Sequence, residues 1–251
     1  MKEIHLFYAP GLPENAELPA DEATHAVRVL RMTEGDTVLA TDGRGRFYDC
    51  RIAVASPKHC LLEIRDSHEA ETLWQGGIHL AVAPTKNMDR MEWLAEKATE
   101  IGWDSLTFLN CKNSERRVVK TERIEKIVVS AAKQSRKARM PEVTGMTDFE
   151  KFIRLPFQGQ KFIAHCHDDL TLPDGGTAAP GPEDFLSDLL TTESGSHALV
   201  LIGPEGDFSA DEVLHAMAAG FRPVSLGRSR LRTETAALVA VHLMNLSKRI
   251  H

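Results

Sequence analysis

The sequence has no CxxC pair. Its four cysteines, Cys50, Cys60, Cys111 and Cys166, stand far apart, which suggests neither a zinc ribbon nor a disulfide framework. It has no run of about 18 apolar residues, the length that spans a membrane. Its opening, MKEIHLFYAPGLPENAELPA, lacks the extended apolar segment of a signal peptide. A soluble, cytoplasmic protein with no membrane segment is the plain expectation. G-x-x-x-x-G-K-[ST] is missing, which argues against a P-loop nucleotidase, and no G-x-G-x-x-G follows the first strand of the second half. The G-x-S-x-G elbow of serine hydrolases is missing as well. The run His165-Cys166-His167-Asp168 looks like a metal cluster, but neighbours on a strand face opposite ways, so at most two could share an ion. No metal is expected.

What is present is ordinary in bulk and uneven in detail. The 251 residues are 42% hydrophobic and 26% charged, as in soluble globular proteins, and suffice for one large domain or two unequal ones. The net charge of −6 hides a basic stretch from Lys112 to Arg139, where ten Lys or Arg meet three Glu for a local charge of +7. Clustered positive charge in an acidic chain is the footprint of a phosphate-backbone contact. A solvated helix face is the plainer alternative.

The first part reads as β. Two β-rich runs flank Asp42-Gly43-Arg44-Gly45 as a hairpin, CLLEIRDS (60–67) adds a strand, and Ala23, Ala26, Val27 and Leu30 fall at helical spacing. A compact barrel over 1–72 is expected, with the boundary in the loosened pattern of 67–77. From 73 to 251 strands and helices alternate. Strands are expected at 78–84, 105–110, 161–165, 197–203 and 222–227. A helix follows the first, with Met91, Leu94, Ala98 and Ile101 as its stripe and Gly102 as its stop. Another covers 121–138, with Ile124, Ile127, Val128, Ala131 and Ala132 on one side. Apolar strands separated by helices indicate an α/β domain, a parallel sheet covered on both faces. DDLTLPDGGTAAPGPED (168–184) reads as a loop.

Two turns could hold a ligand. Gly203-Pro204-Glu205-Gly206 ends a strand and leads to Ser209-x-x-Glu212, a capping box. The next strand ends at Leu226-Gly227, then Arg228, Arg230 and Arg232 lead into Thr233-Glu234-Thr235 and an apolar helix. Open α/β sheets bind ligands at such strand ends, glycines admit close backbone approach, and arginines before a helix N-terminus suit an anion.

The stretches LVLIGPEGDFSADEV and VSLGRSRLRTETAALVAV resemble the C-terminal signature of the 16S ribosomal RNA uridine-N3 methyltransferase (RsmE) family of the SPOUT superfamily. HAVRVLRMTEGD, PTKNMDRMEWLAEKATEIG and AAKQSRKARMPEV fit the same family, so the likeness spans nearly the whole chain. Two departures stand out: Asp207 where members commonly carry a second Gly, and Arg136-Lys137 where they carry a small residue or Gly. The resemblance implies a SPOUT domain with a C-terminal trefoil knot and an N-terminal PUA-like barrel. It also implies a homodimer, and 16S rRNA or the small ribosomal subunit as partner. S-adenosylmethionine (SAM) is the implied methyl donor, held by Leu201, Ile202, Gly203, Pro204, Glu205, Gly206, Ser225, Leu226, Gly227, Leu231, Arg232, Thr233, Thr235 and Ala236. Methylation at uridine N3 needs a proton acceptor and a cation, for which Glu205, Glu234 and Arg232 are the candidates. RNA contacts are expected at Arg28, Arg31, Arg116, Arg117, Lys133, Arg136, Lys137 and Arg139. A non-catalytic RNA-binding protein on the same fold, or a SPOUT enzyme for another RNA, is the alternative.

Overall fold

The computed structural model describes residues 4–167, 170, 175, 184–190 and 196–250. Most of the 168–184 loop, including Asp168, lies outside the described residues. The chain forms two compact units, residues 1–72 with 128–140, and residues 73–127 with 141–251.

The first unit carries β1 (Leu6–Tyr8), α1 (Ala20–Thr24), β2 (Thr37–Thr41), β3 (Arg46–Val54) and β4 (Leu61–Glu69), paired in that strand order. β1 runs parallel to β2; the other pairs are antiparallel. Along β3, Tyr48, Cys50 and Ile52 are buried while Asp49 and Arg51 face out, the period of two that one covered face imposes. The expected hairpin forms between β2 and β3. Asp42 closes its loop by accepting the Arg44 N–H at 2.8 Å. The helix expected over 21–32 is split: α1 gives way to a π-helical turn at His25–Val29, yet Ala23 and Ala26 are buried as the spacing requires. The Ala138 carbonyl accepts from the Thr41 hydroxyl at 2.8 Å and from the Gly45 N–H at 3.1 Å, which stitches 138–140 into this unit.

The second unit holds β5 (Gly77–Val82), α2 (Met88–Ile101), β6 (Ser105–Asn110), the first half of α3 (Thr121–Gln134), β7 (Glu142–Asp148), α4 (Phe149–Phe152), β8 (Gln160–Ala164), α5 (Leu186–Leu189), β9 (His197–Ile202), α6 (Ala210–Ala218), β10 (Arg222–Val224) and α7 (Thr233–Ser247). The six strands pair all parallel in the order β10-β8-β9-β5-β6-β7. One face is covered by α4 and α6, with Phe149, Val213 and Ala216 against Ala81, Ile163, Leu199 and Leu201. Ile78, Leu80 and Val82 alternate to the other face, where α7 packs on β5, β9 and α2. β7 was not legible as a strand because it lies at a sheet edge and none of its residues is fully buried. Since every strand runs the same way, the loops that follow β5, β6, β8, β9 and β10 gather at one edge.

Candidate active site

A cleft of about 1040 Å³ opens at that edge. The segments after β8, β9 and β10 line it, together with Arg90 from the first turn of α2. All the residues expected to hold a donor line it except Leu201, Gly206 and Thr235. Leu201 points into the core with Phe208 and Val213, and Gly206 is exposed at the outside of its turn. The two motif turns are joined directly: the Thr233 hydroxyl donates to the Gly203 carbonyl at 3.3 Å. Thr233 lines the cleft while its hydroxyl ties one turn to the other, and Arg232 occupies the N-cap with no side-chain cap bond.

The first turn is built tightly. Asp207 donates its N–H to the Pro204 carbonyl at 2.9 Å and adopts φ 64°. That left-handed backbone is one that glycine adopts most easily. Here the aspartate carboxylate offsets the strain by accepting the Cys166 and Phe208 N–H groups, both at 2.8 Å. Gly203 has an internal reason to be glycine, because a Cβ would sit 3.0 Å from the Phe208 ring and N atom. Ser209 and Glu212 form the expected capping box. In the second loop Gly227 has φ 124°, and among the described residues nothing lies within 4 Å of its Cβ position.

Charge is sorted across the cleft. Arg90 Nη1 lies 3.6 Å from Glu205 Oε1 and 3.6 Å from Glu234 Oε1, so one guanidinium bridges the two candidate carboxylates. Glu205 also accepts the Lys86 N–H at 3.1 Å and lines the cleft. Glu234 is buried, and its Oε2 has no hydrogen-bond partner among the described residues. Arg228, Arg230 and Arg232 are exposed, and no ion pair among the described residues engages them. Sequence reasoning missed Arg90: it lies off the apolar stripe of α2, and only the folded chain brings it to Glu205 and Glu234.

The basic stretch is divided between the two units. In the first, Arg28, Arg31, Arg136 and Arg139 are exposed. Lys133 is paired with Glu22 at 2.5 Å. Lys137 is only 8% exposed, so little of the residue is open at the surface, unlike the arginines expected to meet RNA in this unit. The cause is local: α3 ends in a left-handed Arg136 (φ 54°), and the Lys137 N–H turns back to the Ala132 carbonyl at 2.8 Å. In the second unit Arg117 donates to Asn110 at 3.1 Å, and Arg116 donates twice to the Lys86 carbonyl. Lys112 and Arg123 pair with Asp211 and Glu92. Much of the +7 is thus answered inside the protein.

An open parallel sheet with a cleft at its strand ends in one unit, and a small β unit as the other, define the class. The RNA methyltransferase domain model matches residues 73–245, and the RNA methyltransferase PUA domain model matches residues 18–65. The chain belongs to the RNA methyltransferase family. A "Ribosomal RNA small subunit methyltransferase E" from Mycobacterium bovis is 29% identical over 94% of this chain and 89% of its own length, so the RsmE resemblance read from the motifs is borne out. The structure of a "probable rRNA-methyltransferase" from Porphyromonas gingivalis is 42% identical, covers 98% of both chains and superposes with a TM-score of 0.87. A "putative methyltransferase" from Legionella pneumophila, solved in complex with SAM, is 26% identical over 97% of this chain and 98% of its own, with a TM-score of 0.78.

Proposed function

We propose that this chain transfers the methyl group of SAM to N3 of a uridine in 16S rRNA. The observation that carries the reading is the pair of motif turns, joined through Thr233 and Gly203 around a cleft at the C-terminal ends of β9 and β10. Small-molecule sites occupy about 300–1,000 Å³, so a cleft of about 1040 Å³ has room for a donor and part of a base. The relatives' names point to the small-subunit rRNA.

When bound, SAM supplies an electrophilic methyl on a sulfonium. The main chain of 202–205 and 225–227 would hold it, with Gly227 leaving its backbone open to close approach. Uridine N3 is a poor nucleophile until its proton leaves, and a carboxylate at the cleft can take that proton. Glu205 lines the cleft and is the better placed acceptor; Glu234 is buried behind it, on the other side of Arg90. Arg90 is already shared by two carboxylates. Arg232 stands at the N-terminus of α7 with no ion pair among the described residues, which suits it to the negative charge that develops on the base. RNA contacts fall to Arg28, Arg31, Arg136 and Arg139 of the first unit.

The trefoil knot, a homodimeric state and a cytoplasmic location complete this reading by family likeness. Among the described residues no helix is long and apolar enough to cross a membrane. The test is methylation of 16S rRNA and of isolated small subunits with labelled donor, followed by nucleoside mass mapping. Label recovered as 3-methyluridine is expected. Binding of RNA with no methyl transfer would leave an RNA-binding protein on this fold.

A further inference from the structure

The loop after β6 reaches the donor turn along a continuous chain of bonds. β5 lies between β6 and β9 in the sheet, so the loops that follow these three strands are neighbours. Arg116, in the loop after β6, donates both Nε (3.1 Å) and Nη2 (2.6 Å) to the Lys86 carbonyl. This is a two-pronged, charge-assisted grip on one oxygen. Lys86 in turn donates its N–H to Glu205 Oε2 at 3.1 Å. The other oxygen of Glu205 faces Arg90 at 3.6 Å, and Arg90 faces Glu234 at the same distance. Asn113, from the same loop as Arg116, donates Nδ2 to the Gly206 carbonyl at 3.3 Å and the Asp207 carbonyl at 3.1 Å. The acid and the backbone of the donor turn are therefore both held by residues 113–116.

We propose that Arg116 and Arg90 are positioning residues for methyl transfer, a two-arginine frame that fixes Glu205 and Glu234 at the cleft. Arg116 thereby leaves the set of phosphate contacts that its place in the basic stretch suggested. The geometry argues for this in two ways. The prongs of Arg116 that would grip a phosphate are spent on a main-chain oxygen. Glu205 is 38% exposed in its side chain, so without the Lys86 N–H and Arg90 nothing among the described contacts keeps it from turning to water. The inference rests on the methyl-transfer reading above.

The experiment is single-turnover methylation of 16S rRNA by wild type, Arg116→Lys, Arg90→Lys and Asn113→Ala. RNA affinity is measured in parallel at several salt concentrations. Arg116→Lys keeps the charge and loses the fork. At saturating donor and RNA its rate should fall about tenfold or more, because a misplacement of an ångström costs on that scale. RNA affinity and its salt slope should stay as in wild type, since no phosphate contact is lost. Asn113→Ala changes no charge and should lower the rate with the same unchanged RNA binding. Normal saturated rates with weaker RNA binding and a flatter salt slope would make Arg116 a phosphate contact and overturn the frame, as would normal rates throughout. A wild type that methylates no RNA would instead overturn the functional reading, and the frame with it.

Discussion

The two edges of the parallel sheet use glycine for opposite purposes. At the edge where the strands begin, Gly102 (φ 121°) is packed so closely that a Cβ would lie 2.5 Å from Trp74 and 2.9 Å from Asn245. Gly77 is hemmed in by the rings of His79 and His197. At the edge where they end, Gly227 has nearly the same backbone angle (φ 124°) and, among the described residues, nothing within 4 Å of its Cβ position. One glycine exists because the protein is close; the other has no described neighbour, which fits the approach of a ligand's atoms to its backbone. Gly203 shows that the distinction does not follow the motif, since it belongs to the turn at the cleft yet is constrained by Phe208.

This comparison can be broken most directly by alanine at both matched positions. The backbone strain of a side chain near φ 120° is common to the two, about 1–3 kcal/mol. Gly102→Ala adds overpacking against Trp74, worth about 1–3 kcal/mol more. Urea unfolding should therefore show Gly102→Ala to be destabilised by about 3 kcal/mol or more, and Gly227→Ala by clearly less. Equal losses would mean that packing at the starting edge is looser than its distances imply.

At the open edge the largest effect expected is on rate. Arg232→Lys retains a positive charge and loses the planar set of donors, and single-turnover methylation should fall about 10²-fold with donor and RNA binding little changed. If the rate recovers at saturating RNA, Arg232 binds substrate and the charge-stabilising role passes to Arg230 or Arg228. Smaller, and specific to space, is the effect of Ala236→Leu. Ala236 lines the cleft from the first turn of α7, where leucine is a good helix former. Calorimetry should show donor affinity reduced about tenfold, the scale of one or two displaced methylene contacts. Gly206→Ala, on the outside of the donor turn with its nearest neighbour 3.5 Å away, should bind normally and serves as the control.

How much of this was legible follows the same division. The buried central strands and the capping box were readable because apolar runs and a Ser-x-x-Glu spacing report local physics: β5, β6, β8 and β9 appear where the pattern placed them. β7 was missed because an edge strand that buries nothing fully carries no apolar signature. The π-helical turn in residues 25–29 inserts a residue without disturbing which alanines are buried, so periodicity could not reveal it. At the site, the two turns were legible from glycine, proline and arginine in sequence. Their union through Thr233 and Gly203 was not, nor was the Arg90 bridge, because each joins residues more than twenty positions apart. The burial of Lys137 was missed for a related reason: charge counts along the chain do not say which way a side chain turns after a left-handed residue.

The smallest effect expected belongs to the packed edge and reads as pH dependence. His79 sits between two partners, with Nδ1 2.7 Å from the Ser105 hydroxyl and Nε2 3.0 Å from His197 Nδ1, and the edge of Phe157 covers it at 5.3 Å. Burial lowers its pKa below the ordinary value; Asp104 opposes this, while His197 and Lys248 add to it. The unfolded chain takes up a proton near the ordinary pKa of about 6.5, before the folded chain does. Below that pH the unfolded state binds more protons, so stability is full above it and declines on acidification until folded His79 is protonated too. The slope for one proton is at most about 1.4 kcal/mol per pH unit. Urea unfolding at pH 7.5 and pH 5.5 should show wild type losing more stability than His79→Gln, which has no proton to take up there. If the two proteins lose the same amount, the acid sensitivity arises elsewhere and the packed edge has no share in it.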